Sequence, residues 1–281
     1  MNVDGQGEGL KPDTEPDYEL VSRATISSHA VGPALSVQEQ MLAIQQWLQP
    51  TDYLSPGSEF RKHLHSHVPG TGSWLRESSA FKEWTTPGGP NCLAIRGVAG
   101  CGKSVLTAAT IRQLQEDEPD VPVLFFFFRQ IVEKNHSARH LIRDFASQLL
   151  PHSRDLVAGL NALRESSRVE GNEHGSLWDA LVDYMHRMVK VYVVVDALDE
   201  MDDQDYTMID RLAQLGYREG SRAKLLFTSR PIPTIEETLR GLHVPCVRLD
   251  PVIAYPDVAK RSQNRSYHRG SPPGQLGPAT A

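Results

Sequence analysis

Short apolar runs separated by longer helical patterns organise the middle of this 281-residue chain. Each run is apolar throughout, as is typical of the central strands of a parallel sheet that helices cover on both faces. The predicted strands are Cys92–Arg96, Val123–Phe128, Val191–Val195, Leu225–Thr228 and Cys246–Leu249. The predicted helices between them are about Ser104–Gln115, Ala138–Leu150, Leu177–Met188 and Asp205–Leu215. This alternation predicts a three-layer α/β fold around a five-stranded parallel sheet.

Residues 34–90 predict a short helical entry region ahead of the sheet. Ser36 and Glu39 have the spacing of a capping box, and an amphipathic helix pattern follows them. The Gly- and Pro-rich stretch Thr51–Gly72 is predicted to be a loop, and a second amphipathic helix is predicted from about Ser73 to Trp84. Three alternating histidines in the loop have no carboxylate or thiolate beside them, so they predict no metal site.

Polar composition marks both ends of the chain. Residues 1–33 are acidic and rich in Gly, Pro and Ser, which predicts a disordered leader. Residues 259–281 lack acidic side chains and are rich in Ser, Pro, Gly and Arg, which predicts a disordered basic tail. The predicted folded core is therefore residues 91–258.

Charge and cysteine content exclude several classes of function. The chain has 29 Lys and Arg against 35 Asp and Glu, a formal charge of -6, whereas a dedicated nucleic-acid binder normally has a basic excess. Its three cysteines have neither disulfide-scaffold nor zinc-site spacing. Residues 1–20 contain no apolar stretch of the kind found in signal peptides, and the sequence has no run of about 18 apolar residues. These features predict a cytoplasmic protein with no specific nucleic-acid partner and no membrane span.

A glycine-rich loop after the first predicted strand carries the strongest chemical signal. The segment GVAGCGKS, Gly97–Ser104, matches GxxxxGK[ST] in the strand-loop-helix context that a phosphate-binding loop requires. Its N–H groups would surround a polyphosphate, with Lys103 at the β and γ phosphates and the Ser104 hydroxyl on Mg²⁺. The predicted nucleotide-binding residues are Gly97, Gly100, Cys101, Gly102, Lys103, Ser104 and Val105. The alternative is a glycine-rich turn with an accidental lysine.

Two further strands end in polar side chains that suit the same site. Asp196 ends the apolar run VYVVVD and is a second candidate ligand for Mg²⁺. Asp199 or Glu200 could orient an attacking water, although both could instead belong to a solvated acidic loop. Arg230 follows LLFTS and could contact the γ phosphate, or it could be a surface arginine at a strand end.

These motifs together resemble the NACHT family of signal-transducing P-loop NTPases, in the STAND class. The resemblance is strongest to NACHT domains of filamentous-fungal ankyrin-repeat and nephrocystin-like proteins. GVAGCGKS resembles the family's Walker A, VYVVVDALDEMD its Walker B with a small residue at Ala197, and LLFTSRP its sensor-1 strand. The segments Pro50–Tyr53 and Pro69–Leu75 are similar to an entry segment that lies near the base and ribose in related switches. The resemblance covers about residues 35–258.

The resemblance implies a sheet order of 5-1-4-3-2 and a signalling switch that binds Mg²⁺ with ATP or GTP, ATP being favoured. Hydrolysis is expected to be slow or absent. Expected partners are further copies of the chain or longer NACHT proteins, and in fungi such proteins are linked to nonself recognition and cell death. The family's helical lid, winged helix and repeats have no counterpart after the fifth strand, so the chain is expected to be the nucleotide-binding core alone, as a truncated gene product, a gene-model error or a stand-alone module. A non-catalytic interaction module is therefore the main alternative, and a small-molecule kinase a weaker one.

Overall fold

A parallel sheet of five strands forms the centre of the structure, a computed structural model that describes residues 35–170, 173–202 and 206–249. The chain divides after Ser36, and the unit beginning at Val37 holds every element named below. The strands are β1 Cys92–Arg96, β2 Val123–Phe127, β3 Val191–Asp196, β4 Ala223–Ser229 and β5 Cys246–Arg248. Their order is β2-β3-β4-β1-β5, which is the predicted order viewed from the other edge, so the fold class is confirmed.

Ten α-helices occur in the described part of the chain. They are α1 Val37–Leu48, α2 Glu59–Ser66, α3 Ser73–Glu77, α4 Ser79–Thr85, α5 Lys103–Asp117, α6 Ala138–Leu149, α7 Arg154–Glu170, α8 Glu173–Arg187, α9 Tyr206–Tyr217 and α10 Pro233–Gly241. The leader, the tail and residues 250–258 of the predicted core lie outside the described residues.

Each face of the sheet carries its own hydrophobic core because successive strand side chains point to opposite sides. In β3, Val191, Val193 and Val195 pack with helices α1 and α6 to α10, whereas Tyr192 and Val194 pack with α2 to α5. All five of these side chains are fully buried. This two-sided burial explains why the central strands are apolar at most positions.

The free edge of β2 is covered by side chains. Gln148 of α6 accepts a hydrogen bond from the Phe125 N–H at 2.8 Å and donates one to the Phe125 carbonyl at 2.9 Å. Asn135 donates to the Phe127 carbonyl at 3.1 Å. Side-chain amides therefore satisfy backbone groups that would otherwise face outward from the sheet edge.

Two expectations for the entry region are wrong. The predicted loop Thr51–Gly72 contains α2, whose first turn is capped by the Ser58 hydroxyl and anchored by buried Phe60. The predicted single helix from Ser73 to Trp84 is two helices, because Ser78 ends α3 and caps α4 with its hydroxyl. The alternating histidines consequently lie on α2 and at its C-terminal end, and not on a strand.

Candidate nucleotide site

The loop between β1 and α5 has a backbone that requires glycine. Gly100 and Gly102 have φ angles of +74° and +91°, a region that side-chain-bearing residues rarely adopt. A Cβ on Gly97 would lie 2.6 Å from the Cys101 sulfur and 2.9 Å from the Leu249 carbonyl oxygen. The chain can therefore take this path only with glycine at these positions, and it leads directly into the N-terminus of α5.

Lys103, the first residue of α5, folds back over this loop. Its ammonium group donates to the carbonyl of Gly97 at 2.7 Å and to that of Val98 at 3.0 Å. The side chain is buried although it carries a charge. The loop and the lysine thus form one hydrogen-bonded unit beside the helix N-terminus, where an anion is favoured.

Asp196 is held at the end of β3 by two threonines. Its Oδ1 accepts from the Thr228 hydroxyl at 2.6 Å and lies 2.9 Å from the Thr107 hydroxyl. Thr228 also accepts the Ala197 N–H at 2.9 Å, which supports Ala197 in a left-handed conformation with φ +55°. The carboxylate is only 2% exposed, so its orientation is set by α5 and β4 together.

Asp199 and Arg230 form a close pair. The Asp199 carboxylate accepts from the Arg230 backbone N–H at 2.8 Å and from the guanidinium Nε at 2.5 Å. The Asp199 side chain is 1% exposed, whereas that of Arg230 is 45% exposed. Hydrogen bonding to Asp199 is the main cause of a raised Arg230 pKa, so the guanidinium is firmly charged.

A second ion-pair group, which the sequence analysis missed, connects α2 with Glu200. Arg129 follows β2, and its Nε lies 2.9 Å from Glu59 while its Nη1 lies 3.4 Å from Glu200. Burial opposes the charge on Arg129, but the contacts with Glu59 and Glu200 outweigh it and raise the pKa. Burial likewise opposes the charge on Glu59, yet hydrogen bonds from Lys62 and Arg129 lower its pKa.

His63, one turn after Glu59 on α2, completes this side of the site. Its Nε2 lies 3.5 Å from Glu59, and its ring stacks on Phe127 with centroids 5.7 Å apart. Burial is the main cause of a lowered His63 pKa, which favours the neutral imidazole at neutral pH. The position of Arg129 directly after an apolar strand was a visible signal, but nothing local indicated its partners.

These groups surround a cleft of about 390 Å³ at the carboxyl ends of the strands. Of the predicted site residues, the cleft is lined by Gly100, Gly102, Lys103, Ser104, Val105, Asp199, Glu200 and Arg230. Gly97, Cys101 and Asp196 do not line it; Cys101 and Asp196 are buried, and Gly97 begins the loop. His63, Ala99, Arg129 and Ala197 complete the lining.

The two halves of the entry segment lie in different places. Gly72 lies close to α5, because a Cβ there would approach Leu106 to 2.8 Å. Thr51 instead binds Asp144 of α6, and Tyr53 lies edge-on to Phe125 of β2. The second half, Pro69–Leu75, therefore lies beside α5, the helix that follows the phosphate-binding loop. The first half, Pro50–Tyr53, lies beside the edge of β2.

The strand order and the glycine-rich loop define a P-loop NTPase fold of the NACHT-like kind. The chain belongs to the nephrocystin 3 N-terminal family, whose sequence model matches residues 70–230. It is 24% identical over 175 residues to the vegetative incompatibility protein HET-E-1 of Podospora anserina. That match covers 59% of this chain but only 13% of HET-E-1.

A solved structure of AMPPCP-bound DnaA from Aquifex aeolicus also matches, with 14% sequence identity and a TM-score of 0.40. The match covers 76% of this chain and 57% of the DnaA chain. Among the residues described, no helix is both long enough and apolar enough to cross a membrane.

Proposed function

We propose that this chain is the Mg²⁺-nucleotide-binding module of a NACHT-type signalling switch, with ATP favoured over GTP and slow hydrolysis. The observation that carries the proposal is the grouping of Lys103, Ser104, Glu200 and Arg230 around one cleft of about 390 Å³. That volume lies in the range of small-molecule sites, and the carboxyl edge of a parallel sheet is where such ligands bind.

The loop would bind the phosphates mainly through its backbone. Gly100 and Gly102 keep the path open, the α5 N-terminus contributes a positive field, and Lys103 would exchange its carbonyl contacts for phosphate oxygens. The ammonium group of Lys103 already donates to these two carbonyls, so phosphate binding would break two hydrogen bonds before it forms new ones. Binding is therefore expected to be moderate in strength.

The residues present fit Mg²⁺. Ser104 lines the cleft and offers a hard oxygen donor, the type that this ion prefers. Asp196 is buried and held by Thr107 and Thr228, so it would act through the water shell of the ion. The described residues contain no group of three or more His, Cys, Asp or Glu that could hold a metal alone. Phosphate and water would supply the remaining ligands, and the bound ion would neutralise charge on the phosphates.

Glu200 is the stronger candidate for orienting water. It is 20% exposed and has only 3.4 Å contacts, to Arg129 and the Gln130 N–H, whereas both oxygens of Asp199 are bound to Arg230. Arg230 would stabilise charge on the terminal phosphate while anchored by Asp199. Self-association, association with longer NACHT proteins and a cytoplasmic location belong to the same proposal.

Calorimetric titration with Mg-ATP, Mg-ADP and Mg-GTP tests binding. We expect micromolar affinity, a preference for adenine, and loss of binding in Lys103→Ala but not in Lys82→Ala, which removes an exposed lysine from α4. A folded wild-type chain that binds none of the three nucleotides would refute the proposal.

The second candidate is a non-catalytic interaction module, which the closed Asp199–Arg230 and Lys103–loop contacts favour. Single-turnover hydrolysis with Glu200→Gln separates the two. The switch proposal predicts a fall of about 100-fold or more in the rate, as is typical of lost general-base catalysis. The interaction module predicts no measurable turnover in either protein.

A further inference from the structure

Arg129 is a third cation in the wall of the nucleotide cleft, together with Lys103 and Arg230. It lies two residues beyond β2, at the same edge of the sheet from which Asp196 and Arg230 emerge. Its side chain is 34% exposed, so it is accessible from the cleft although its contacts are partly shielded from water.

The three cations differ in how they are held. Lys103 is bound to its own loop and Arg230 to the buried Asp199. Arg129 is shared between two carboxylates on different elements, with a firm contact to Glu59 at 2.9 Å and a long one to Glu200 at 3.4 Å. A guanidinium has five N–H donors in a planar arrangement that suits phosphate oxygens, and these two contacts use two of its nitrogens.

We propose that Arg129 contacts the terminal phosphate of a bound nucleoside triphosphate and so selects triphosphate over diphosphate. The inference rests on the proposed function and names a residue that the sequence motifs do not contain. Because the Glu200 contact is long, an incoming phosphate oxygen displaces it more easily than the Glu59 contact. Glu200 is then released towards the cleft, where it can orient water.

Glu59 gives this contact a further consequence. It is the first residue of α2, outside the sheet core, and it also pairs with Lys62 and His63. Glu59 and the terminal phosphate compete for the positive charge of Arg129. The strength of the Glu59–Arg129 contact therefore sets the affinity for triphosphate. Triphosphate binding in turn weakens the contact between Arg129 and α2.

Opposite effects of two charge-removing substitutions test this competition. Arg129→Gln should weaken Mg-ATP binding about tenfold, the value of one charged hydrogen bond, and change Mg-ADP binding less than about twofold. Glu59→Gln should strengthen Mg-ATP binding by about threefold, because Arg129 loses its competing partner. The control Arg112→Gln removes an arginine that is 50% exposed and pairs along α5 with Glu116, and it should change neither affinity.

The results separate this inference from the proposed function. If the wild type binds nucleotide and Lys103→Ala does not, but Arg129→Gln leaves the ATP-to-ADP affinity ratio unchanged, only the Arg129 inference is overturned. If Glu59→Gln and Arg129→Gln each weaken the binding of Mg-ATP and of Mg-ADP to the same extent, the role of the pair is structural and the inference is also overturned. A wild-type chain without nucleotide binding overturns both.

Circular dichroism and thermal unfolding establish that each variant is folded. Should Arg129→Gln not fold, Arg129→Lys keeps the charge while removing the planar donor arrangement. It should then lose affinity for Mg-ATP selectively, by about threefold. An unchanged ATP-to-ADP ratio in Arg129→Lys, together with no gain in Glu59→Gln, would overturn the inference.

Discussion

Asp199 binds Arg230 through both carboxylate oxygens, one on the backbone N–H at 2.8 Å and the other on the guanidinium Nε at 2.5 Å. The pair joins the segment after β3 to the end of β4, so the two residues act as one unit. The sequence patterns predict separate roles for them, with Asp199 orienting water and Arg230 contacting the γ phosphate. In the structure Asp199 anchors Arg230, whereas Glu200 makes only the longer contacts of 3.4 Å to Arg129 and to the Gln130 N–H.

Asp199→Asn should destabilise the fold by roughly 1–2 kcal/mol. The carboxylate is buried and its charged hydrogen bonds are lost, but the half-exposed Arg230 recovers part of its hydration. Urea unfolding followed by circular dichroism measures the change. Asp183→Asn is the control, because the 3.6 Å pair of Asp183 with Arg218 is exposed and should contribute almost nothing. Equal midpoints for wild type and Asp199→Asn would contradict the anchoring role.

Thr228→Val should cost roughly 2 kcal/mol of unfolding free energy, although the two side chains have almost the same shape. The Thr228 hydroxyl is fully buried, donates to Asp196 and accepts from the Ala197 N–H. The substitution therefore leaves both partners without this hydrogen bond. Thr110→Val is the matched control, since that buried hydroxyl donates to the Leu106 carbonyl of its own helix and its loss should cost less than about 1 kcal/mol. Similar losses from both substitutions, measured by urea unfolding, would argue against a special role for Thr228.

Lys224→Met should cost roughly 2–4 kcal/mol, because the buried ammonium group of Lys224 donates to three carbonyls in the turn before β1. These are the carbonyls of Thr86, Gly89 and Pro90, at 3.1 to 3.2 Å. The substitution leaves them without this donor. Thermal unfolding beside Lys82→Met, an exposed lysine on α4, provides the comparison. A melting temperature equal to that of the control would show that water replaces the lysine.

Asp144 should give the fold a pH dependence opposite to that of an ordinary paired carboxylate. Burial raises its pKa from 3.8 to about 7, although the N–H and hydroxyl of Thr51 both donate to it. The folded state therefore binds a proton more tightly than the unfolded state. The stability from this group is complete below about pH 4 and is lost as the pH rises to about 7, by at most about 1.4 kcal/mol per pH unit.

Urea unfolding of the wild type and of Asp144→Asn between pH 5 and pH 8 measures this dependence. The neutral amide cannot ionise, so the variant should gain stability relative to the wild type as the pH rises. Asp52→Asn, at an exposed neighbouring position, controls for the loss of one negative charge. A constant difference between wild type and Asp144→Asn across this range would exclude ionisation of Asp144 as the cause.

The strands could be predicted because their signal is local. All five fall within one or two residues of the predicted ends, since most strand positions are apolar and the polar ones lie near the strand ends. The strand order required the family resemblance. Helix α2 was missed because its eight residues bury only Phe60, and the Gly- and Pro-rich flanks indicate a loop. Helices α7 and α10 were not predicted either.

The candidate site divides in the same way. Contiguous segments such as Gly97–Ser104 can be recognised in the sequence, and eight of the eleven site residues predicted from such segments line one cleft. The contacts that hold them were not predictable, because they join residues far apart in the chain. Glu59 and Arg129 are separated by 70 positions, and Thr107 and Asp196 by 89. Only the sheet order brings such pairs together.

The amide of Gln148, which binds the edge of β2 at Phe125, also affects whether this edge can pair with a second molecule. Four consecutive phenylalanines form a strongly aggregation-prone segment. If the edge of β2 were uncovered, a strand of a second molecule could pair with it and extend the sheet. The Gln148 side chain makes the two hydrogen bonds that a neighbouring strand would make with Phe125. It has no further backbone groups to which another strand could add. With α6 docked, the Phe125 backbone groups are therefore not available to pair with a strand of a second molecule.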